Sequence, residues 1–275
     1  ENARLLWTRQ ASLERKAGNK RDLQSSFTMS CRAVLLLGLL FATVAVHYTW
    51  ILLRLLLGKN AEKDDLEAMA SVVSAFCIYT AFLAFNGMTE AFCTGVVVAL
   101  DMKMVSQMGL VHGLMSLLFA LVVAPIFIRI MDNGSGESVG AVIGLIYANA
   151  FCMALRGWIA IWFAARYFPK QENRSGDVSI TTKMLELLHD MSPHGMVWLA
   201  FGVSYQVTKY SLQQFQSNSI GNKWWYKDAV VHVGVGISCV LGIATISILF
   251  ERSFWKRLYD MFRESKTTTK RQKQE

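Results

Sequence analysis

The 275 residues are 53% hydrophobic, with a mean hydropathy of +0.32, and the apolar residues fall in long runs broken by only three prolines. That is too apolar for an ordinary soluble domain, and runs of 18 or more residues with few charges predict transmembrane helices. The net charge of +8 is confined to the ends and loops, a topology signal rather than a nucleic-acid footprint, so no nucleic-acid partner is expected.

Residues 1–32 read as a basic cytosolic segment carrying Arg4, Arg9, Arg15, Lys16, Lys20 and Arg21. No signal peptide is expected, because the first apolar run lies behind this charged stretch. The first span is predicted over 33–57, with His47 inside it as a packing residue or a proton relay. The second runs over 66–100. At 1.5 Å per residue it is too long for one perpendicular crossing and too short for two, so one long bent helix or a span plus a re-entrant piece is predicted. A third span covers 105–130, with His112 and Pro125. A turn around Asn133-Gly134 leads to a fourth over 139–167. Gly109/Gly113 and Gly140/Gly144 are glycine pairs four apart on these two adjacent spans, a spacing that permits close helix approach. Pro169–Asp190 reads as a polar loop. A more polar fifth span follows over 191–213 and a small-residue-rich sixth over 229–250. Residues 251–275 form a basic cytosolic tail; Arg271-Gln272-Lys273 within it resembles a basic endoplasmic-reticulum retrieval signal, or serves as a membrane-surface patch. The predicted fold class is all-α, a polytopic transmembrane helix bundle of about six spans over 33–250. Lys and Arg concentrate on the side that then holds both ends, which is therefore expected to be cytosolic.

The chemistry-bearing residues lie inside the spans. Asn86, Gly87, Thr89 and Glu90 interrupt an apolar helix, and a carboxylate there is costly unless it faces protein, water or a ligand. The alternative is that Asn86 and Glu90 mark the point where the helix leaves the membrane. In the fourth span Asn149 and Arg156 stand seven residues apart, on one helix face. Arg156 is central, and no acidic residue in its own span can neutralise it. It therefore meets an anionic head group, or pairs with an acidic residue elsewhere. The five cysteines contain no CxxC pair, which excludes a zinc or dithiol motif. No P-loop, nucleophile elbow or HExxH is present, so neither enzymatic chemistry nor a cofactor is expected.

These residues also carry a resemblance. AFNGMTEAF (Ala84–Phe92) resembles the Asn-Gly-x-Thr-Glu signature of the Rft family, and YANAFCMALRG (Tyr147–Gly157) resembles its Asn-x-x-x-Met-x-x-Arg element through Asn149, Met153 and Arg156. Cys152 stands where a second Asn is common, and Gly157 where an aliphatic residue is. ENARLLW (Glu1–Trp7) is similar to a Glu-rich element that closes a helix midway along the family's proteins, so the chain is expected to be the C-terminal half. The resemblance implies one half of a two-bundle exporter-superfamily fold in the endoplasmic-reticulum membrane. It implies transport of the dolichol-diphosphate-linked oligosaccharide of N-glycosylation, with that oligosaccharide and membrane lipid as partners. The expected substrate-binding residues are Arg156 for the diphosphate, with Glu90, Asn86, Tyr147 and Asn149 for the sugars. The alternatives are a cation-coupled drug exporter of the same superfamily and a non-transporting scaffold for glycosylation enzymes.

Overall fold

The computed structural model describes residues 7–8, 21–58, 63–100, 102–132, 138–168, 179–219 and 225–260, and its elements are all helical. Outside these lie Asn133, Asn173, the segment 1–20 apart from Trp7 and Thr8, and the tail 261–275. The chain divides into two units, Glu1–Ser192 and Pro193–Glu275.

The first unit opens with α1 (Arg21–Thr43), which begins well ahead of the predicted start at Ala33. Leu23, Phe27 and Cys31 are four apart and fully buried, one helical stripe. The intervening Gln24, Ser25 and Ser26 dilute the local hydropathy and hide it. The predicted first span is also broken. A 3-10 turn over Ala45–His47 separates α1 from α2 (Thr49–Leu57). The sequence there, TVAVHYT, is rich in β-branched residues, which are weaker helix formers. His47 is buried in this turn. Ser74 Oγ fastens it from the next helix, donating to the Val46 carbonyl at 3.1 Å and lying 2.9 Å from Thr49 Oγ1. Gly58 ends α2 at φ +73°, where its N–H reaches the Arg54 carbonyl at 3.1 Å, a left-handed conformation suited to glycine.

The long second span is one uninterrupted helix, α3 (Lys63–Leu100), roughly 57 Å long. Gly87 neither breaks it nor, among the described residues, admits a neighbour: none has an atom within 4 Å of where its Cβ would sit. The close approach is elsewhere: a Cβ on Gly38 would come 2.9 Å from Ala81 Cα. The pairings Phe27–Phe92, Gly38–Ala81 and Val46–Ser74 make α1 antiparallel to α3.

The third span is a rod of α4 (Met102–Leu118), a π-helical turn (Phe119–Val123) and α5 (Ala124–Met131). Pro125 lies just past the wide turn; it lacks an N–H, and its ring is best accommodated where the helix is opened. Then α6 (Ser138–Tyr167) packs back against α5. A Cβ on Gly144 would lie 2.6 Å from the Phe127 carbonyl oxygen, and one on Gly140 2.6 Å from that of Met131. Gly109 and Gly113, which have the same spacing, have no atom of the described residues within 4 Å of where a Cβ would sit. Only the second glycine pair is a packing seam.

Half of the predicted polar loop is a helix, α7 (Ile180–Met191). Met184, Leu187 and Met191 recur at helical spacing and are buried, so this amphipathic helix joins the core. Arg32 Nη2 donates to the Asp190 carbonyl at 2.6 Å across it. The core itself is aromatic. Phe27 stacks on Phe92 with centroids 4.1 Å apart, Trp7 meets Phe92 edge-on at 5.5 Å, and Phe168 closes the group 5.5 Å from Phe92.

In the second unit α8 (Gly195–Ser219) and α9 (Trp225–Phe250) form an antiparallel hairpin. Ser211 Oγ lies 2.7 Å from His232 Nδ1, and Phe215 stacks on the same ring. At the other end the His194 N–H donates to Glu251 Oε1 at 2.7 Å. Residues 252–260 continue as a helix, and Trp255 Nε1 donates to Ser247 Oγ at 3.0 Å.

Among the described residues five helical stretches are long and apolar enough to cross a bilayer: Leu23–His47, Asp64–Val96, Gly109–Met131, Val139–Tyr167 and Trp225–Phe250. The predicted fifth span corresponds to α8, which is long enough at 25 residues but carries Tyr205, Gln206, Lys209, Gln213 and Gln214. The chain is an all-α, multi-pass helical membrane protein.

Candidate functional site

Two helices running the same way build the site. Along α3 the residues Tyr79, Asn86 and Glu90 form one stripe, and along α6 Asn149, Met153 and Arg156 form another. The stripes face each other in order. Asn149 Nδ2 donates to Tyr79 Oη at 2.9 Å, Asn86 Nδ2 lies 3.3 Å from Met153 Sδ, and Arg156 Nη2 lies 4.0 Å from Glu90 Oε1. About one turn further along both helices, Cys93 Sγ donates to the Ala160 carbonyl at 3.5 Å. Ascending numbers pair with ascending numbers, so α3 and α6 are parallel and the intervening rod crosses back once.

Small or self-satisfied residues permit this seam. Thr89 is fully buried but its hydroxyl donates to the carbonyls of Phe85 and Asn86 in its own helix, so the Thr of the motif serves the helix rather than a ligand. Gly157 lies against the Phe85 ring, where a Cβ would meet it at 3.4 Å. Cys152 is buried with Val123, Ala124 and Ala148. Cys152 thus faces α5 and the turn before it, off the polar stripe.

Glu90 is the centre of the polar group. Its Oε2 accepts from Asn86 Nδ2 at 3.1 Å. Its Oε1 is approached by Arg156 and, from α4, by His112 Nδ1 at 3.4 Å. Arg156 is expected from the sequence to meet an anionic head group or to pair with an acidic residue outside its own span, and α3 supplies such a residue, Glu90, across the seam; inspection of the fourth span alone could not reveal which. The pair is loose. Both approaches to Oε1 exceed the 2.7–2.9 Å usual for charge-assisted hydrogen bonds. Asn86 Oδ1 and Arg156 Nε are buried and have no hydrogen-bond partner among the described residues. A narrow cleft beside them, between Asn86, Glu90, His112 and Arg156, has about 10 Å³ of space, roughly one water molecule.

The structure therefore brings Asn86, Glu90 and Arg156 together and places Asn149 on the same stripe one step away. Tyr147 is different: two residues from Asn149 is about 200° round a helix, so it points off the seam. His112 was missed as a site residue. The signal available was an ionisable side chain inside an apolar span, which is a functional candidate by default. Among the described residues no group of three or more His, Cys, Asp and Glu is placed to hold a metal ion.

The family model of the Rft protein matches residues 1–261. The chain belongs to the Rft family. Among curated Rft relatives it is 26% identical over 218 residues to the Man(5)GlcNAc(2)-PP-dolichol translocation protein RFT1 of Dictyostelium discoideum, covering 79% of this chain and 30% of that protein. It is 30% identical over 118 residues to the protein of the same name from Yarrowia lipolytica, covering 42% of this chain and 16% of that one. The chain thus spans about a third or less of the curated Rft relatives it matches. No solved structure matches it.

Proposed function

We propose that this chain forms part of a protein that translocates, or is required to translocate, a dolichol-diphosphate-linked oligosaccharide across the endoplasmic-reticulum membrane, and that it is not itself an enzyme. The observation that carries this reading is the Glu90–Arg156 pair: a loose, incompletely bonded charge pair on the seam between two apolar helices of an Rft family member. An arginine inside a span costs about 2.5 kcal/mol or more, and a guanidinium grips phosphate oxygens with a planar fork. Arg156 is assigned to the diphosphate. Asn86, Glu90 and Asn149 line the path beside it, and Tyr147, off that stripe, is the weakest member of the proposed set. With α8 counted as a sixth crossing, the basic asymmetry of the loops supports a cytosolic side for both ends of the chain. Glu90 already faces the cationic Arg156 and the donors Asn86 and His112, which counts against a cation site on its carboxylate and hence against a cation-coupled exporter.

The test is complementation of a strain defective in N-glycosylation, scored by precursor oligosaccharide accumulation and by protein level. Arg156→Ala is expected to abolish most rescue at near-normal abundance, and Arg156→Lys to retain part of it. Full rescue by Arg156→Ala ends the head-group assignment. Rescue restored only by exchanging the two charges (Glu90→Arg with Arg156→Glu) identifies a purely structural pair.

A further inference from the structure

Two donors from two different helices converge on a single oxygen of Glu90. Arg156 Nη2 on α6 is 4.0 Å away and His112 Nδ1 on α4 is 3.4 Å away. The other oxygen is held by Asn86 on Glu90's own helix. The arrangement is a two-sided receptor for one anionic oxygen, and the carboxylate underfills it: Oε1 is too far for a short charge-assisted bond to either donor, Arg156 Nε is buried with no hydrogen-bond partner among the described residues, and the adjoining cleft has room for about one water-sized group.

We infer that Glu90 is an internal ligand: its carboxylate occupies an oxyanion site built by Arg156 and His112, and a phosphate oxygen of the transported lipid displaces it. This rests on the proposed function and adds to it a role for Glu90 as competitor rather than sugar contact, and a role for His112 as second phosphate donor. A carboxylate and a phosphate offer the same guanidinium fork similar oxygens. Exchange of one for the other never leaves Arg156 alone in an apolar span, where an unpaired charge is costly. The displaced carboxylate keeps Asn86, four residues back on the same helix, so it retreats without losing all its bonds. The same competition expels the phosphate afterwards.

Binding of farnesyl diphosphate to the full chain in detergent micelles, by titration calorimetry, tests this. Removing an internal competitor tightens binding, so Glu90→Gln is expected to raise affinity about tenfold, a typical coupling between two ligands of one site. The same variant is expected to lower complementation, because release slows. Glu90→Asp, which keeps the charge but withdraws it from both donors, tightens binding less. Arg156→Gln abolishes binding and His112→Gln weakens it several-fold. Unchanged or weaker binding by both Glu90 variants, with the wild-type protein binding well, overturns the internal-ligand role and leaves the transport reading standing. No binding by wild type and Glu90→Gln alike overturns both.

Discussion

Gly109 and Gly144 look alike in sequence, each belonging to a glycine pair four apart in an apolar span, yet the structure predicts opposite responses to alanine. At Gly144 the added carbon would lie 2.6 Å from the Phe127 carbonyl oxygen, 2.9 Å from Ile128 Cα and 3.0 Å from the Phe127 carbonyl carbon. These atoms are all backbone, so no side chain can swing aside. The shortest contact is roughly 0.9 Å inside favourable van der Waals separation, and α5 must move away from α6. Overpacking of this kind costs about 1–3 kcal/mol, against up to about 1 kcal/mol returned by alanine's better helix propensity. Gly144→Ala should therefore lose about 1–2 kcal/mol. Gly109→Ala meets nothing within 4 Å and should be neutral or gain up to about 1 kcal/mol. Reversible unfolding in mixed micelles with rising SDS fraction, followed by tryptophan fluorescence, measures both. A Gly109 variant as destabilised as the Gly144 variant would refute the assignment of the seam.

Phe92→Ala removes the ring on which Trp7, Phe27 and Phe168 converge and should cost about 3–5 kcal/mol; a loss below 1 kcal/mol in the same unfolding assay would show that this cluster is not a core. Glu251→Ala strips the acceptor from the His194 N–H and should cost about 1–3 kcal/mol, with Glu251→Gln milder because its amide oxygen still accepts; equal losses would mean that the contact itself contributes nothing. Asn173 and Asn133 both lie in N-x-S sequons, and the orientation proposed from the loop charges has Asn173 on the cytosolic side, so glycosidase treatment should leave a protein bearing only the Asn173 sequon unshifted in mobility. A glycan on Asn173 would invert the proposed orientation.

What the sequence made legible were features carried by unbroken hydrophobicity. The fourth span, Val139–Tyr167, emerges with its expected limits, and α3 is one helix because nothing in its apolar run forces a break. Mixed signals were harder. The buried stripe of α1 lies among polar neighbours, and α7 hides inside a charged stretch because only three or four of its residues need to face the core. The π turn before Pro125 leaves the average hydropathy untouched. At the site, Asn149 and Arg156 could be placed on one face by counting, since helical phase is local. Their partners could not be, because the pairing of Arg156 with Glu90 is set by how two helices dock, 66 positions apart in the chain. His112 joins from a third helix for the same reason.

The parallel docking of α3 and α6 turns three separate contacts into a graduated track. Tyr79 with Asn149, Asn86 with Met153 and Glu90 with Arg156 stand at successive heights on one line. From the first to the last is about 16 Å of rise along α3 and about 10 Å along α6, between a third and a half of a hydrocarbon core about 30 Å thick. No gap between neighbouring rungs exceeds about 10 Å. A polar head group moving along this line would never be a full half-bilayer from its next hydrogen-bonding partner. The amide-phenol rung at one end offers neutral contacts and the carboxylate-guanidinium rung at the other offers charged ones, so the track also has a direction.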